Sequence, residues 1–245
     1  MKRLTGRHLT ITTMSIKAVF DQYASQYDGS RRKLIPCFAD FYRTAREIIP
    51  FAPEEKLTIL DLGAGTGLLT SMVAADFAHA RFVLMDISES MLTEAEKRLS
   101  GYAGEFSYVT ADYSRIPSLG GQFDLIMSSL SIHHLDQQQK QELFGKVYAH
   151  LAPGGVFVNA DQVLGETAEV EKIYRRKWLE QVKANGVTDA ELQGALVRMK
   201  EDRMSTLSWQ LAAMRDAGLH HVNCWYQHYS FAVYSGSKGS IFCLF

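Results

Sequence analysis

Asp61-Leu62-Gly63-Ala64-Gly65-Thr66-Gly67 stands between the apolar run Leu57-Thr58-Ile59-Leu60 and an apolar helical pattern from Leu68 to Phe77. This order predicts a strand, a glycine turn and a helix. Glycine suits a turn whose bare backbone must approach a ligand, and the start of a helix aims N–H groups at that ligand. A second predicted strand, Arg81 to Met85, ends in Asp86. A third, Phe106 to Thr110, ends in Ala111-Asp112-Tyr113. A carboxylate closing the second strand is placed to grip the two ribose hydroxyls of an adenosine ligand.

Other nucleotide chemistries fit poorly. A P-loop needs Lys and then Ser or Thr after its last glycine, and here Leu68-Leu69 follow. A dinucleotide loop is spaced G-x-G-x-x-G, whereas this turn reads G-x-G-x-G with Asp61 two residues before its first glycine. A carboxylate there repels a pyrophosphate and suits a cationic amino acid headgroup.

Together these motifs resemble the class I S-adenosylmethionine (SAM)-dependent methyltransferases, over roughly Ala18 to Tyr234. The resemblance implies an α/β fold, a doubly wound, seven-stranded, mostly parallel sheet with an N-terminal helical lid and a helical insertion after the fifth strand. It also implies that SAM is the cofactor. Gly63, Ala64, Gly65 and Gly67 would shape the methionine pocket, Asp86 would bind ribose and Asp112 would meet the adenine amino group, with Ile87, Met91 and Tyr113 as neighbouring contacts. The segment Phe123 to Ser129 resembles the fourth strand, with Ser128 beside the sulfonium. Leu151-Ala152-Pro153-Gly154-Gly155 matches the turn before a fifth strand, Val156 to Ala160. Asp61, Asp86, Asp112 and Ser128 are expected at equivalent positions on four strands, because ligands of such sheets bind beyond the strands' carboxyl ends.

Alternating strands and helices divide the chain into a tail (1–14), a helical lid (15–50), a SAM-binding core (51–164), an insertion (165–204) and a C-terminal helix with edge strands (205–245). Helices are expected over Ser15–Tyr27, Pro36–Ile49, Ser205–Ala217 and from the N-caps Ser88 and Asp136, with a break in the insertion at Asn185-Gly186. The 245 residues suffice for one sizeable core. A formal net charge of −1 implies no broad basic face, so no nucleic acid partner is expected. Cys37, Cys224 and Cys243 are too scattered for a disulfide framework, which suits a reducing cytoplasm. No run approaches the roughly 18 apolar residues of a membrane span, so no membrane partner is expected. A homodimer is compatible with these features.

The expected lid places Tyr23 and Tyr27 one helical turn apart, where electron-rich rings suit a sulfonium, and offers Arg32 or its neighbour Arg31 to the SAM carboxylate. His133 and Tyr27 are candidate proton-handling groups, as is Tyr174 on the insertion. His134, Asn159 and Trp178 are candidates for acceptor binding, although Asn159 and Asp161 could equally cap the first helix of the insertion. Adjacent histidines in a helix or strand point different ways, so no metal is expected. Trp209, Trp225, Tyr226 and Tyr229 are read as core or sheet-face residues, and His220-His221 as surface.

The expected reaction is in-line transfer of the SAM methyl group to a small-molecule acceptor in a closed pocket. Two other uses of the cofactor are compatible: cyclisation of SAM to azetidine-2-carboxylate with release of methylthioadenosine, and a step in tRNA wobble-uridine modification. A SAM-binding regulator without turnover is the non-enzymatic alternative.

Overall fold

The computed structural model describes residues 27–239, with side chains from residue 31 onward. The expected tail and Tyr23 lie outside the described residues, as does the side chain of Tyr27, whose backbone opens helix α1 (Tyr27–Leu34). Helix α2 (Phe38–Glu47) follows, then β1 (Thr58–Leu62), α3 (Leu68–Ala74), β2 (Arg81–Asp86), α4 (Glu89–Leu99), β3 (Glu105–Thr110) and β4 (Phe123–Ser129). A short 3-10 turn (Ile132–His134) leads to α5 (Gln137–His150) and β5 (Leu151–Gln162). The insertion supplies α6 (Ala168–Ala184), α7 (Asp189–Arg198) and a second 3-10 turn (Met199–Glu201), and α8 (Leu207–Asp216), β6 (His220–His228) and β7 (Phe231–Ser237) complete the described chain.

The seven strands form one sheet in the order β3-β2-β1-β4-β5-β7-β6, parallel except for β7, which runs antiparallel to both β5 and β6. Strand order reverses between β1 and β4, which opens a crevice at their carboxyl ends. Both faces are covered, and the strands alternate between them with period two. Ile59, Leu125, Met127, Val156 and Val158 pack with α2, α3, α4 and the insertion's Trp178 and Val182. Leu60, Leu62, Ile126 and Phe157 pack instead with Leu143, Phe144 and Val147 of α5 and Met214 of α8.

Helix starts are local. Ser88, Asp136, Thr167, Thr188 and Thr206 each accept a first-turn N–H through the side chain, and Asp136 and Thr188 complete capping boxes. Asn159 and Asp161 therefore cap nothing in the insertion, because Thr167 already does. The break at Asn185-Gly186 is as expected, with Gly186 at φ +75°. Strand β5 is longer than predicted: Phe123 pairs with Leu151 and Leu125 with Val156, so Ala152 to Gly155 bulge out of a continuous strand. A Cβ on Gly155 would lie 2.9–3.0 Å from the carbonyls of Ala152, Asp124 and Phe123, so only glycine lets the bulge close. Trp225 is a sheet-face rather than a core residue: it is 50% exposed on edge strand β6, with its indole N–H donated to Ser235 Oγ at 2.8 Å. Among the described residues no helix is long and apolar enough to cross a membrane.

Candidate active site

The glycine turn after β1 has three left-handed residues, and each serves a separate need. Gly63 (φ +68°) donates its N–H to Met85 O at 2.8 Å, and a Cβ there would overlap Ser131 Oγ. Gly67 (φ +71°) faces Ala95 of α4, where a Cβ would approach to 3.1 Å. Gly65 (φ +54°) faces nothing within 4 Å among the described residues, leaving its free side to the crevice. Its N–H donates to Asp86 Oδ2 at 2.8 Å, and Asp86 Oδ1 accepts from Ser88 N at 2.9 Å.

These groups border a cavity of about 550 Å³ lined by Gly63, Gly65, Asp86, Ile87, Met91, Asp112 and Tyr113. Asp86 closes β2, paired with Thr110 of β3, so two neighbouring strand ends carry the carboxylates at the crevice. Burial raises the Asp86 carboxyl above its ordinary range, opposed by the two N–H groups and the charge of Arg31. Asp112 Oδ1 is held by Ser114 N and Oγ, and Tyr113 Oη meets Ser131 Oγ at 2.7 Å. Ala64 and Gly67 shape the turn from behind, with Ala64 in the core.

Asp61 is not level with Asp86, contrary to expectation. It lies within β1, opposite Leu84, because β2 extends further toward the crevice. Its carboxylate is buried; Oδ2 accepts from Thr70 Oγ1 at 2.6 Å and Oδ1 has no hydrogen-bond partner among the described residues. Burial pushes this acid up to about 7, with Thr70 and Arg31 pulling the other way. A cationic amino group supplies what such a buried oxygen lacks. The orphaned Asp61 oxygen, the open face of Gly65 and the acidic strand ends therefore fit SAM.

Three predicted contacts are placed elsewhere. Ser128, opposite Leu62 inside the sheet, donates its hydroxyl to Leu62 O at 2.7 Å and reaches neither cavity. Asn159 is fully buried on β5 and donates to Tyr234 Oη at 2.7 Å, while Tyr234 donates to Gln210 Oε1 at 2.6 Å. A side chain spent on that interior chain is not an acceptor contact. Arg32 lies over the Phe38 ring, 4.7 Å from its centroid, whereas Arg31 borders the ligand cavity. One helical position turns the cation toward or away from the crevice.

A second cavity of about 590 Å³ adjoins the first, and Arg31, Leu130 and His134 line both. Leu130 follows β4 with φ +50°, a strained conformation for a residue with a side chain and one found at functional sites. Tyr174 and Trp178 form part of the wall as expected; Trp178 donates its indole N–H to Leu34 O at 3.0 Å, tying the insertion to α1.

His133 and His134 sit side by side in the 3-10 turn with ring centroids 4.1 Å apart, which corrects the expectation that adjacent histidines diverge. The tight turn, neither helix nor strand, brings them together. His133 Nδ1 lies 2.6 Å from Asp161 Oδ1, and its Nε2 is 3.5 Å from Asp202 Oδ1; His134 Nδ1 is 3.2 Å from the same oxygen. Burial opposes charge on His133, but Asp161 and Asp202 outweigh it and push the imidazole up to about 10. Both ring nitrogens of His133 thus face carboxylates, Asp161 on one side and Asp202 on the other. Burial and the His133 charge lower His134, while the two histidines outweigh burial to hold Asp202 well below the usual carboxylate range.

Two groups that the sequence did not single out assemble this cluster. Asp202 arrives from the far end of the insertion. Buried Lys140 donates to Leu135 O at 2.6 Å and Arg203 O at 2.5 Å, clamping together the segments after His134 and after Asp202. No local motif signals either contact.

Residues 59–155 match the family model described as "Methyltransferase domain". A carboxy-S-adenosyl-L-methionine synthase of Shewanella baltica is 23% identical over 220 residues, covering 86% of this chain and 88% of that protein. An O-methyltransferase family protein of Burkholderia thailandensis superposes with a TM-score of 0.63 at 16% identity, covering 92% of this chain and 60% of that one. Human N-acetylserotonin methyltransferase in complex with SAM gives 0.60 at 15% identity, covering 90% of this chain and 56% of that one. This chain thus spans under two thirds of the length of those two structures. The matched segment contains the glycine turn and Asp86, so residues 59–155 are those of a methyltransferase domain, set in a seven-stranded Rossmann-like α/β sheet.

Proposed function

We propose that this enzyme transfers the methyl group of SAM to a small anionic acceptor held in the second cavity. The observation that carries the reading is the shared wall of Arg31, Leu130 and His134, which sets the two cavities end to end. SAM supplies an electrophilic methyl carbon whose departure leaves S-adenosylhomocysteine, a leaving group that needs no acid. The chain's own task is then orientation and exclusion of water, worth several kcal/mol of a barrier.

Asp86 would accept from the ribose hydroxyls, Asp112 and Tyr113 would border the adenine, and Asp61 would take the ammonium group. Ile87 and Met91 would pack against the nucleoside. Arg31 would face a carboxylate of either ligand. The second cavity carries Arg175, Arg198 and Lys200 besides Arg31, against Glu171 and Asp202, so its charge balance favours an acid. Trp178 would stack the acceptor's apolar part, and the Tyr174 hydroxyl, which accepts from Gln227 Nε2 at 3.2 Å, would orient it. Helix α1 and the insertion would act as lids.

A second reading is favoured by the Shewanella relative, whose name states that its product is a carboxylated SAM. The same cation-rich cavity would hold a carboxylate donor.

Mass spectrometry separates these readings. The enzyme is incubated with SAM alone and with a panel of small carboxylates. S-adenosylhomocysteine together with a methylated carboxylate, formed only when acceptor is present, supports methyl transfer. A carboxylated SAM supports the second reading. Methylthioadenosine and azetidine-2-carboxylate from SAM alone would replace both with self-cyclisation, and stable SAM throughout would count against an anionic acceptor of the panel's classes.

A further inference from the structure

We infer that His133, His134 and Asp202 bind one divalent first-row transition-metal ion at the common wall of the two cavities. Two imidazoles and a carboxylate form a donor set suited to zinc, iron, cobalt or nickel. One ligand atom from each residue lies within 4.8 Å of the others. The two distances to Asp202 Oδ1, 3.5 Å from His133 Nε2 and 3.2 Å from His134 Nδ1, bracket the edge of about 3.4 Å expected of a tetrahedron with metal bonds near 2.1 Å. Charge-assisted hydrogen bonds are shorter, about 2.7–2.9 Å. Both imidazoles thus stand at ligand spacing from the carboxylate.

The surroundings are built for such a site. Asp161 is fully buried; Oδ2 accepts from His133 N at 2.9 Å, and Oδ1 accepts from Gln162 N at 2.8 Å and faces His133 Nδ1. A proton held on Nδ1 by that carboxylate leaves the Nε2 lone pair directed toward Asp202, the carboxylate–histidine–metal arrangement of many metal centres. Arg203 N donates to His133 O at 2.8 Å, and Lys140 holds Leu135 O and Arg203 O, so the 3-10 turn and the Asp202 segment keep their spacing. Three protein ligands leave at least one coordination position, and all three residues line the second cavity. The ion would present that position to an acceptor oxygen. The competing account is a metal-free cluster in which protonated His133 bridges Asp161 and Asp202.

The metal is read by binding, so its outcome is separate from that of the methyl-transfer proposal. The full chain is stripped with chelator and titrated with Co²⁺, followed by visible absorption, and with Zn²⁺ by calorimetry. The expected result is one ion per chain, with ligand-field bands of an N/O site. His134→Gln and Asp202→Asn should abolish the stoichiometric ion, and Asp161→Asn should weaken it by about 10–100-fold. The exposed pair His220→Gln/His221→Gln should leave it unchanged. Absence of saturable one-ion binding in the wild-type protein overturns the proposal, as does wild-type binding in folded His134→Gln. Circular dichroism identifies which variants fold; if none of the ligand variants does, the Co²⁺ spectrum of the wild type, with or without imidazole nitrogen coordination by electron spin-echo, decides the assignment.

Discussion

Thr70 Oγ1 donates to Asp61 Oδ2 at 2.6 Å while Oδ1 of the same buried carboxylate has no hydrogen-bond partner among the described residues. One hydroxyl does not compensate for burial, and the acid rises from 3.8 to about 7. The folded state then holds a proton that the unfolded chain releases, so this group's contribution to stability falls as pH rises from about 4 to about 7, by up to about 1.4 kcal/mol per unit. Denaturant melts across that window should show a slope that Asp61→Asn removes. If Asp61 takes the SAM ammonium, SAM affinity should rise with pH through the same window and level off above about 7, measured by calorimetry.

Asp86→Ala should weaken SAM binding by about 10–100-fold, the value of a charged hydrogen-bonding partner worth about 1.5–3 kcal/mol. The loss should exceed that of Asp86→Asn, which keeps an acceptor for Gly65 N or Ser88 N. Equal SAM affinity in the wild type and the alanine variant, by calorimetry on folded protein, would remove Asp86 from the ligand site.

Gly63 and Gly65 should separate folding from binding. Gly63→Ala drives a Cβ into Ser131 Oγ as well as straining a left-handed backbone, and should cost more than about 2 kcal/mol of stability. Gly65→Ala meets no atom of the described residues within 4 Å, so its cost should be confined to about 1 kcal/mol of backbone strain, with a disproportionate loss of SAM affinity. Thermal melts paired with SAM titrations test both; equal effects on stability would contradict the assignment of the open face to a ligand.

Tyr234→Phe should leave Asn159 Nδ2 and Gln210 Oε1 without their shared partner and cost about 1–3 kcal/mol. SAM affinity should not change. A fall in affinity without a fall in stability would return Asn159 to the site from which its interior hydrogen bond removes it.

The cofactor side was readable because its signals are local. A strand, a glycine turn and a helix follow one another in the chain, and Asp86, Ile87, Met91, Asp112 and Tyr113 all line the predicted cavity. Errors came where a single residue of register matters. Asp61 sits lower on its strand than Asp86 on its own, and Ser128 turns its hydroxyl to Leu62 O, because the strands end at different heights; Arg31 rather than Arg32 borders the cavities because successive helical positions diverge. The acceptor side was read in part, through Tyr174, Trp178 and the histidines.

By itself, then, the sequence determined the doubly wound sheet and the residues gathered around its crevice, since periodicity, glycine spacing and strand-end carboxylates act among near neighbours. Tertiary structure alone decided that Asp202 meets the histidine pair, that Lys140 clamps the segments carrying them, and that the two cavities share a wall. Those contacts join the insertion to the end of β4, and only packing of the whole chain brings segments so distant in sequence within reach of one another.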